Sequence, residues 1–188
     1  MTSTTLFYII IAILIINFIV DKVLDALNAK HFNDALPEDL QDVYDETEYK
    51  KSQNYKATNY KFGILTSTFS IVLTLGFLIF DGFEFVDNIA RSYSDNSIII
   101  ALIFFGIIMI GSDIITTPFS YYSTFVIEEK FGFNKTTLKI FIFDKIKGWL
   151  MMAIVGGGIL ALIIWFYQST GTNFWLYAWG LVAVFVLF

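Results

Sequence analysis

The chain has 188 residues, of which 56% are hydrophobic and only 15% charged, and its mean hydropathy is +0.67. Soluble domains carry about 25% charged residues, so this composition excludes an ordinary water-soluble core. There is no cysteine, which removes disulfides, thiolate metal sites and a cysteine nucleophile together, and a net charge of −5 argues against nucleic acid, whose phosphates require clustered Lys and Arg.

The predicted fold is all-α: a polytopic transmembrane helix bundle of about five spans, with interfacial helices in the cytoplasmic loops. Apolar runs occur in chain order at about 4–20, 62–80, 98–119, 149–167 and 174–188. About 20 apolar residues cross the hydrocarbon core at 1.5 Å per residue, and the second, third and fourth runs satisfy this. The first is short, but Val23, Leu24, Ala26 and Leu27 follow Asp21 and Lys22, so its helix is expected to continue into the interface. It has no basic leader and no small-residue cleavage site, so it does not read as a cleaved signal peptide. The fifth run is still apolar at Phe188. A terminal carboxylate at membrane depth would cost at least about 2.5–3.5 kcal/mol, so the sequence reads as a fragment of a longer protein.

Orientation follows from the basic residues. Lys22, Lys30, Lys50, Lys51, Lys56 and Lys61 fall between the first two runs, and Lys130, Lys135, Lys139, Lys145 and Lys147 follow the third. The loop between the second and third runs holds only Arg91, and 168–173 holds none. Basic residues stay cytoplasmic. The expected topology therefore has the N-terminus outside and the loops 21–61 and 119–148 in the cytoplasm.

The first of these loops contains Leu36-Pro37-Glu38-Asp39-Leu40, which reads as a helix start with proline first and acids in the first turn. Leu40, Val43, Tyr44 and Thr47 continue at helical spacing, and Tyr49, Tyr55 and Tyr60 interleave with lysines, as suits the headgroup level. In the second loop Asn134 is expected to cap a helix carrying Leu138, Phe141, Ile142 and Lys145, with Gly132 giving the backbone freedom just before it. Thr116-Thr117-Pro118 is expected to kink or end the third span.

Catalytic constellations are scarce. The single histidine, His31, cannot supply the two-histidine helix of a zinc peptidase, and no G-x-S-x-G elbow occurs. An intramembrane aspartic dyad fails as well, because only Asp113 lies within a span and Asp144 sits in a charged stretch. Asp113 either makes an internal hydrogen bond or marks a functional position, or else snorkels from near the cytoplasmic end. Gly156-Gly157-Gly158 reads as a close helix-packing face. Glu128 and Glu129 are open to three readings: a general-base pair, a metal-ligand pair, or anchors that position their loop. The acidic run Glu38, Asp39, Asp42, Asp45, Glu46 and Glu48 reads as an exposed face, holding a hard cation weakly at most.

The densest polar and aromatic patch runs from Pro118 to Thr137: Pro118, Phe119, Tyr122, Thr124, Phe125, Ile127, Glu128, Glu129, Gly132, Phe133, Asn134 and Thr137 in fixed spacing. This run resembles the N-terminal signature of the CAAX prenyl protease 1 family of integral-membrane zinc metallopeptidases. The likeness extends to 49–55, to Asp144 and Lys145, and to Phe174-Trp175-Leu176-Tyr177-Ala178-Trp179, so it covers most of 45–188. The resemblance implies that the H-E-x-x-H helix and a later glutamate ligand lie beyond Phe188. The full-length protein would then use zinc, while this chain holds none and is inert alone. It further implies an intramembrane chamber and three partners: the bilayer, the C-terminal catalytic part, and a peptide or protein substrate. That substrate is a prenylated C-terminal peptide in eukaryotic members, and a membrane or misfolded protein if the source is bacterial. The second type of CAAX protease carries E-E-x-x-x-R, which fails here because Phe133 stands in the arginine's place. The rival reading is a small polytopic scaffold or transporter subunit without enzymatic activity.

Overall fold

The computed structural model describes residues 2–32, 34–36 and 45–187. Everything regular among them is helical. The helices are α1 (Ser3–Ala29), α2 (Glu46–Ile79), α3 (Gly82–Tyr93), α4 (Ser97–Tyr122), α5 (Glu129–Phe131), α6 (Leu138–Met151), α7 (Gly157–Thr170) and α8 (Phe174–Leu187). Wide π-helical turns, Ser123–Glu128 and Met152–Gly156, join α4 to α5 and α6 to α7. A 3-10 turn, Gly171–Asn173, joins α7 to α8.

Four stretches are long and apolar enough to cross a membrane: Ser3–Ala29, Glu46–Ile79, Ser97–Phe131 and Leu138–Gly180. The last takes in α6, α7 and the start of α8, and so includes the fourth apolar run and the opening of the fifth. Among the described residues the buried hydrophobics are Val86, Ala90, Ile127 and Phe131, while Val72, Ile154 and Leu162 are each more than 60% exposed. Large aliphatic side chains presented so widely are unfavourable in water and favourable in hydrocarbon. A helix satisfies its own backbone hydrogen bonds, which lipid cannot do for it. This is an integral membrane protein.

The chain divides into two compact units. The first comprises Met1–Gly82 and Thr117–Lys135, and the second Phe83–Thr116 and Thr136–Phe188. In the first unit, α1 is capped by Thr2, whose Oγ1 accepts from the Thr5 N–H at 3.2 Å, and the helix runs past Asp21 and Lys22 to Ala29 as expected. Lys22 is held by Asp25 at 2.7 Å on the next turn. The helix start at Leu36–Leu40, with Val43 and Tyr44, lies outside the described residues apart from Leu36, as do Glu38, Asp39 and Asp42.

Asp45 caps α2, accepting from the N–H groups of Thr47 at 2.8 Å and Glu48 at 3.1 Å. These two bonds, that of Glu48 foremost, hold its carboxyl below the ordinary aspartate range. From this cap α2 runs 34 residues without a break, about 51 Å at 1.5 Å per residue. Its lysine- and tyrosine-bearing first half is therefore continuous with the span that begins near Phe62.

In the second unit, Asn96 opens α4 by accepting from the N–H of Ile98 at 2.9 Å. Gly157 is the one glycine of its triplet that meets another helix, with a Cβ built there lying 3.4 Å from Leu102 of α4. At the α7–α8 turn, Phe166 and Tyr167 meet Phe174 at ring distances of 5.7 and 5.4 Å.

Two local expectations change. Pro118 does not end the third span: it sits inside α4, and helical backbone continues through the π turn to Phe131. Proline removes one helical hydrogen bond, and the turn then widens five residues later. Asn134 does not cap the following helix. That cap is Thr137, whose Oγ1 accepts from the Ile140 N–H at 3.3 Å, so the helix starts at Leu138.

Candidate functional site

The signature stretch, as far as Lys135, belongs to the first unit. Glu128 closes the π turn, and Gly132 ends α5 in the left-handed region at φ 79°. The Phe133 N–H bonds to the Glu128 carbonyl at 2.9 Å, and the Gly132 N–H to the Glu129 carbonyl at 3.1 Å. This reciprocal pair is the usual helix stop at a left-handed residue, and glycine adopts that conformation without a Cβ penalty.

The stretch is fixed to α2 by aromatic contacts and one hydrogen bond. The Tyr55 hydroxyl donates to Glu128 Oε1 at 2.5 Å. The Tyr55 ring meets Phe131 and Phe133 edge-on at 5.2 and 5.0 Å, and the Lys51 ammonium lies over Phe133 at 5.5 Å. Further along α2, Phe62 stacks on Tyr122 at 5.1 Å and Phe69 meets Phe119 at 4.9 Å. As α2 advances from Lys51 to Phe69 its partners retreat from Phe133 to Phe119, so the two segments are antiparallel. Ile127 and Phe131 are buried within this contact, at 2% and 7% exposure.

Glu129 is exposed and turns the other way, accepting from Asn134 Nδ2 at 2.9 Å. Phe125 lies against Tyr121 at 4.8 Å, and Thr124 is half-buried within the π turn. The two glutamates therefore have different partners: one braces the stretch against α2, the other closes the turn on itself.

In the second unit, Asp113 of α4 receives two donors from α6. Lys145 Nζ lies 2.7 Å from Oδ1, and the Trp149 indole N–H donates to Oδ2 at 2.9 Å. Lys145 and Trp149 are four residues apart on one helix face, so both reach the same carboxylate. Thr116, two residues before Pro118, donates its Oγ1–H back to the carbonyls of Ser112 at 2.9 Å and Asp113 at 3.3 Å.

The residues do not fit a zinc site. His31 is exposed and paired with Asp34 at 2.8 Å, and among the described residues no three His, Asp or Glu side chains converge. Zinc needs three or four such donors in a tetrahedral shell. Sequence reasoning did not single out Lys51, Tyr55, Phe62 and Phe69 as partners of the signature, nor Lys145 and Trp149 as partners of Asp113. The one available signal for the second pairing was an aspartate inside a span, which requires a nearby donor.

The match to family models is direct: residues 25–188 fit the family described as CAAX prenyl protease N-terminal, five membrane helices, and the chain belongs to it. It is 37% identical over 168 residues to the probable CAAX prenyl protease 1 of Schizosaccharomyces pombe, covering 80% of this chain and 35% of that protein. It is 34% identical to the CAAX prenyl protease 1 homolog of Dictyostelium discoideum, covering 81% and 37%. The chain thus spans about a third of the length of these curated relatives. The crystal structure of S. mikatae Ste24p superposes with a TM-score of 0.86 at 32% identity, over 96% of this chain and 43% of that one.

Proposed function

We propose that this chain is the N-terminal membrane region of a zinc-dependent metalloendopeptidase, forming part of the wall of an intramembrane chamber. The zinc-binding catalytic domain lies after residue 188, and the chain alone is inert and holds no zinc. The observation that carries this reading is the signature stretch itself, fixed to α2 by the Tyr55–Glu128 bond and closed by Gly132. Its two glutamates are engaged by Tyr55 and Asn134, and no third carboxylate or histidine converges on them among the described residues. Pro118, Phe119, Tyr122 and Phe133 set its course, and Glu128, Glu129 and Asn134 brace it. In this reading Asp113 ties α4 to α6 and takes no part in the chemistry.

The N-terminus faces outward, with loops 21–61 and 119–148 in the cytoplasm, where the lysines lie. The substrate is a peptide or protein, a prenylated C-terminal peptide in a eukaryotic setting, since the relatives named above are CAAX prenyl proteases. Sequencing the gene past codon 188 tests the assignment: an H-E-x-x-H downstream supports it, and an immediate stop codon favours a non-enzymatic scaffold. Single cysteines at Ser94, Ser52 and Ser123 test the topology. An impermeant reagent should label only position 94 in intact cells, and labelling of 52 or 123 without 94 would reverse it.

A further inference from the structure

Helix α3 joins two spans through linkers of two and three residues, since α2 ends at Ile79 and α4 begins at Ser97. At about 3.3–3.6 Å per extended residue it cannot leave the membrane surface. Its sequence matches that position. At 3.6 residues per turn, Phe83, Phe85, Val86, Ile89, Ala90 and Tyr93 occupy one side, and Glu84, Asp87, Asn88, Arg91 and Ser92 the other. Val86 and Ala90 are buried, at 4% and 0% exposure. Of the flank formed by Phe85, Ile89 and Tyr93, at four-residue intervals, the two aromatic ends are open, Phe85 at 65% and Tyr93 at 75% exposure, while Ile89 is half-buried. An aromatic flank beside a polar one, on a helix tethered to two spans, belongs at the lipid–water boundary.

Between this helix and α4 lies a cleft of about 330 Å³. Its lining is mixed: Asp87, Arg91, Asp95 and Ser97 are polar, while Ile100, Ala101, Phe104 and Phe105, further along α4 than Ser97, are apolar. From Ser97 to Phe105 is eight residues, about 12 Å along the helix, which takes the cleft from the headgroup layer into the hydrocarbon. A polar solute would leave the apolar side chains bare, and an apolar one would strand the charges. A lipid matches both.

The charges select among lipids. Arg91 gives its Nε–H to Asp87 at 2.6 Å, which leaves the terminal N–H groups of its guanidinium for another acceptor. Asp95 has no hydrogen bond or ion pair from its side chain among the described residues. Two carboxylates against one guanidinium leave a net charge of −1. An anionic headgroup would be repelled, whereas a headgroup with adjacent phosphate and ammonium answers both signs.

We infer that this cleft binds one zwitterionic phospholipid, with phosphate on Arg91, ammonium on Asp95 and an acyl chain along Ile100, Ala101, Phe104 and Phe105. The inference stands independently of the proteolytic reading.

Native mass spectrometry of the detergent-purified chain, titrated with phosphatidylethanolamine or phosphatidylglycerol, tests it. One phosphatidylethanolamine should be retained in preference. Asp95→Asn and Arg91→Gln should each weaken its retention about three- to fivefold, as expected for a partly exposed ion pair of up to about 1 kcal/mol. Glu84→Gln, on the same helix but outside the cleft, should change nothing. Both cleft variants are close in shape to the native residue, and an unchanged melting temperature confirms that they fold. Free phosphoethanolamine should not displace the lipid. Equal retention of the two lipids, a preference indifferent to both cleft variants, or displacement by phosphoethanolamine would each overturn the assignment.

Discussion

Removing Lys145 should destabilise the protein more than removing Asp113, although the two form one pair. At 2.7 Å the gross attraction of two unit charges is about 6 kcal/mol at an effective dielectric of 20. The desolvation of both ions cancels most of that. What decides the single variants is the ion left behind. In Lys145→Ala a short carboxylate loses its counter-ion while its backbone stays at span depth, at about 2.5–3.5 kcal/mol. The Trp149 N–H remains bonded to it but carries no full charge. In Asp113→Ala the long lysine stem can carry its ammonium toward the interface, which should reduce the loss to roughly 1–2 kcal/mol. For a chain of this size about 2–4 °C of melting temperature corresponds to each kcal/mol. Lys145→Ala should therefore lower the transition in detergent by roughly 5–14 °C, and Asp113→Ala by roughly 2–8 °C. The double variant leaves neither ion and should melt close to Asp113→Ala. Additive losses, or the reverse ranking of the single variants, would refute this account and make the contact incidental.

Three further outcomes follow from the first unit. Tyr55→Phe keeps the ring against Phe131 and Phe133 but removes the donor to Glu128. It should cost about 1.5 kcal/mol, the low end for a bond to a charged group because the site is only part-buried, read as a fall of roughly 3–6 °C in melting temperature. Gly132→Ala meets open space, with nothing nearer than Lys51 Nζ at 3.9 Å. Its loss of about 1–2 kcal/mol would come from the left-handed backbone alone, and Gly132→Asn, which tolerates that conformation, should lose measurably less. Asp45, whose folded pKa lies below its unfolded value, contributes its cap fully above the unfolded pKa of about 3.9. It loses that contribution as pH falls through the folded value. The Thr47 and Glu48 amide resonances should therefore hold steady above about pH 5 and move only below the unfolded value, and Asp45→Ala should abolish that response.

What could be read in advance divides by physical cause. The apolar runs are strong because lipid selects on length and hydropathy averaged over about twenty positions, and each has a helical counterpart here. The element the sequence reading passed over is α3. Twelve residues with three charges are too short and too polar for such an average to register, and only their helical periodicity betrays them. Boundaries slipped where one side chain can serve two roles. Asn134 is a good cap by type, but Glu129 five residues earlier claims its amide, and Thr137 takes the capping position instead. Pro118 breaks helices in water because its ring forfeits a hydrogen bond, but inside a bilayer a broken helix exposes further unsatisfied backbone, and continuing through a wide turn is cheaper. The long-range pairs were the least legible. Nothing local in Tyr55 distinguishes it from Tyr49 or Tyr60. It is selected only because the antiparallel register of α2 and the signature stretch brings Glu128 opposite it, 73 positions away. The same holds for Asp113: its need for a partner is evident from its depth, while the choice of Lys145 and Trp149 is made by the helix that happens to face it. A sequence can therefore announce that a charge inside a span must be answered, and tertiary register decides which residue answers it.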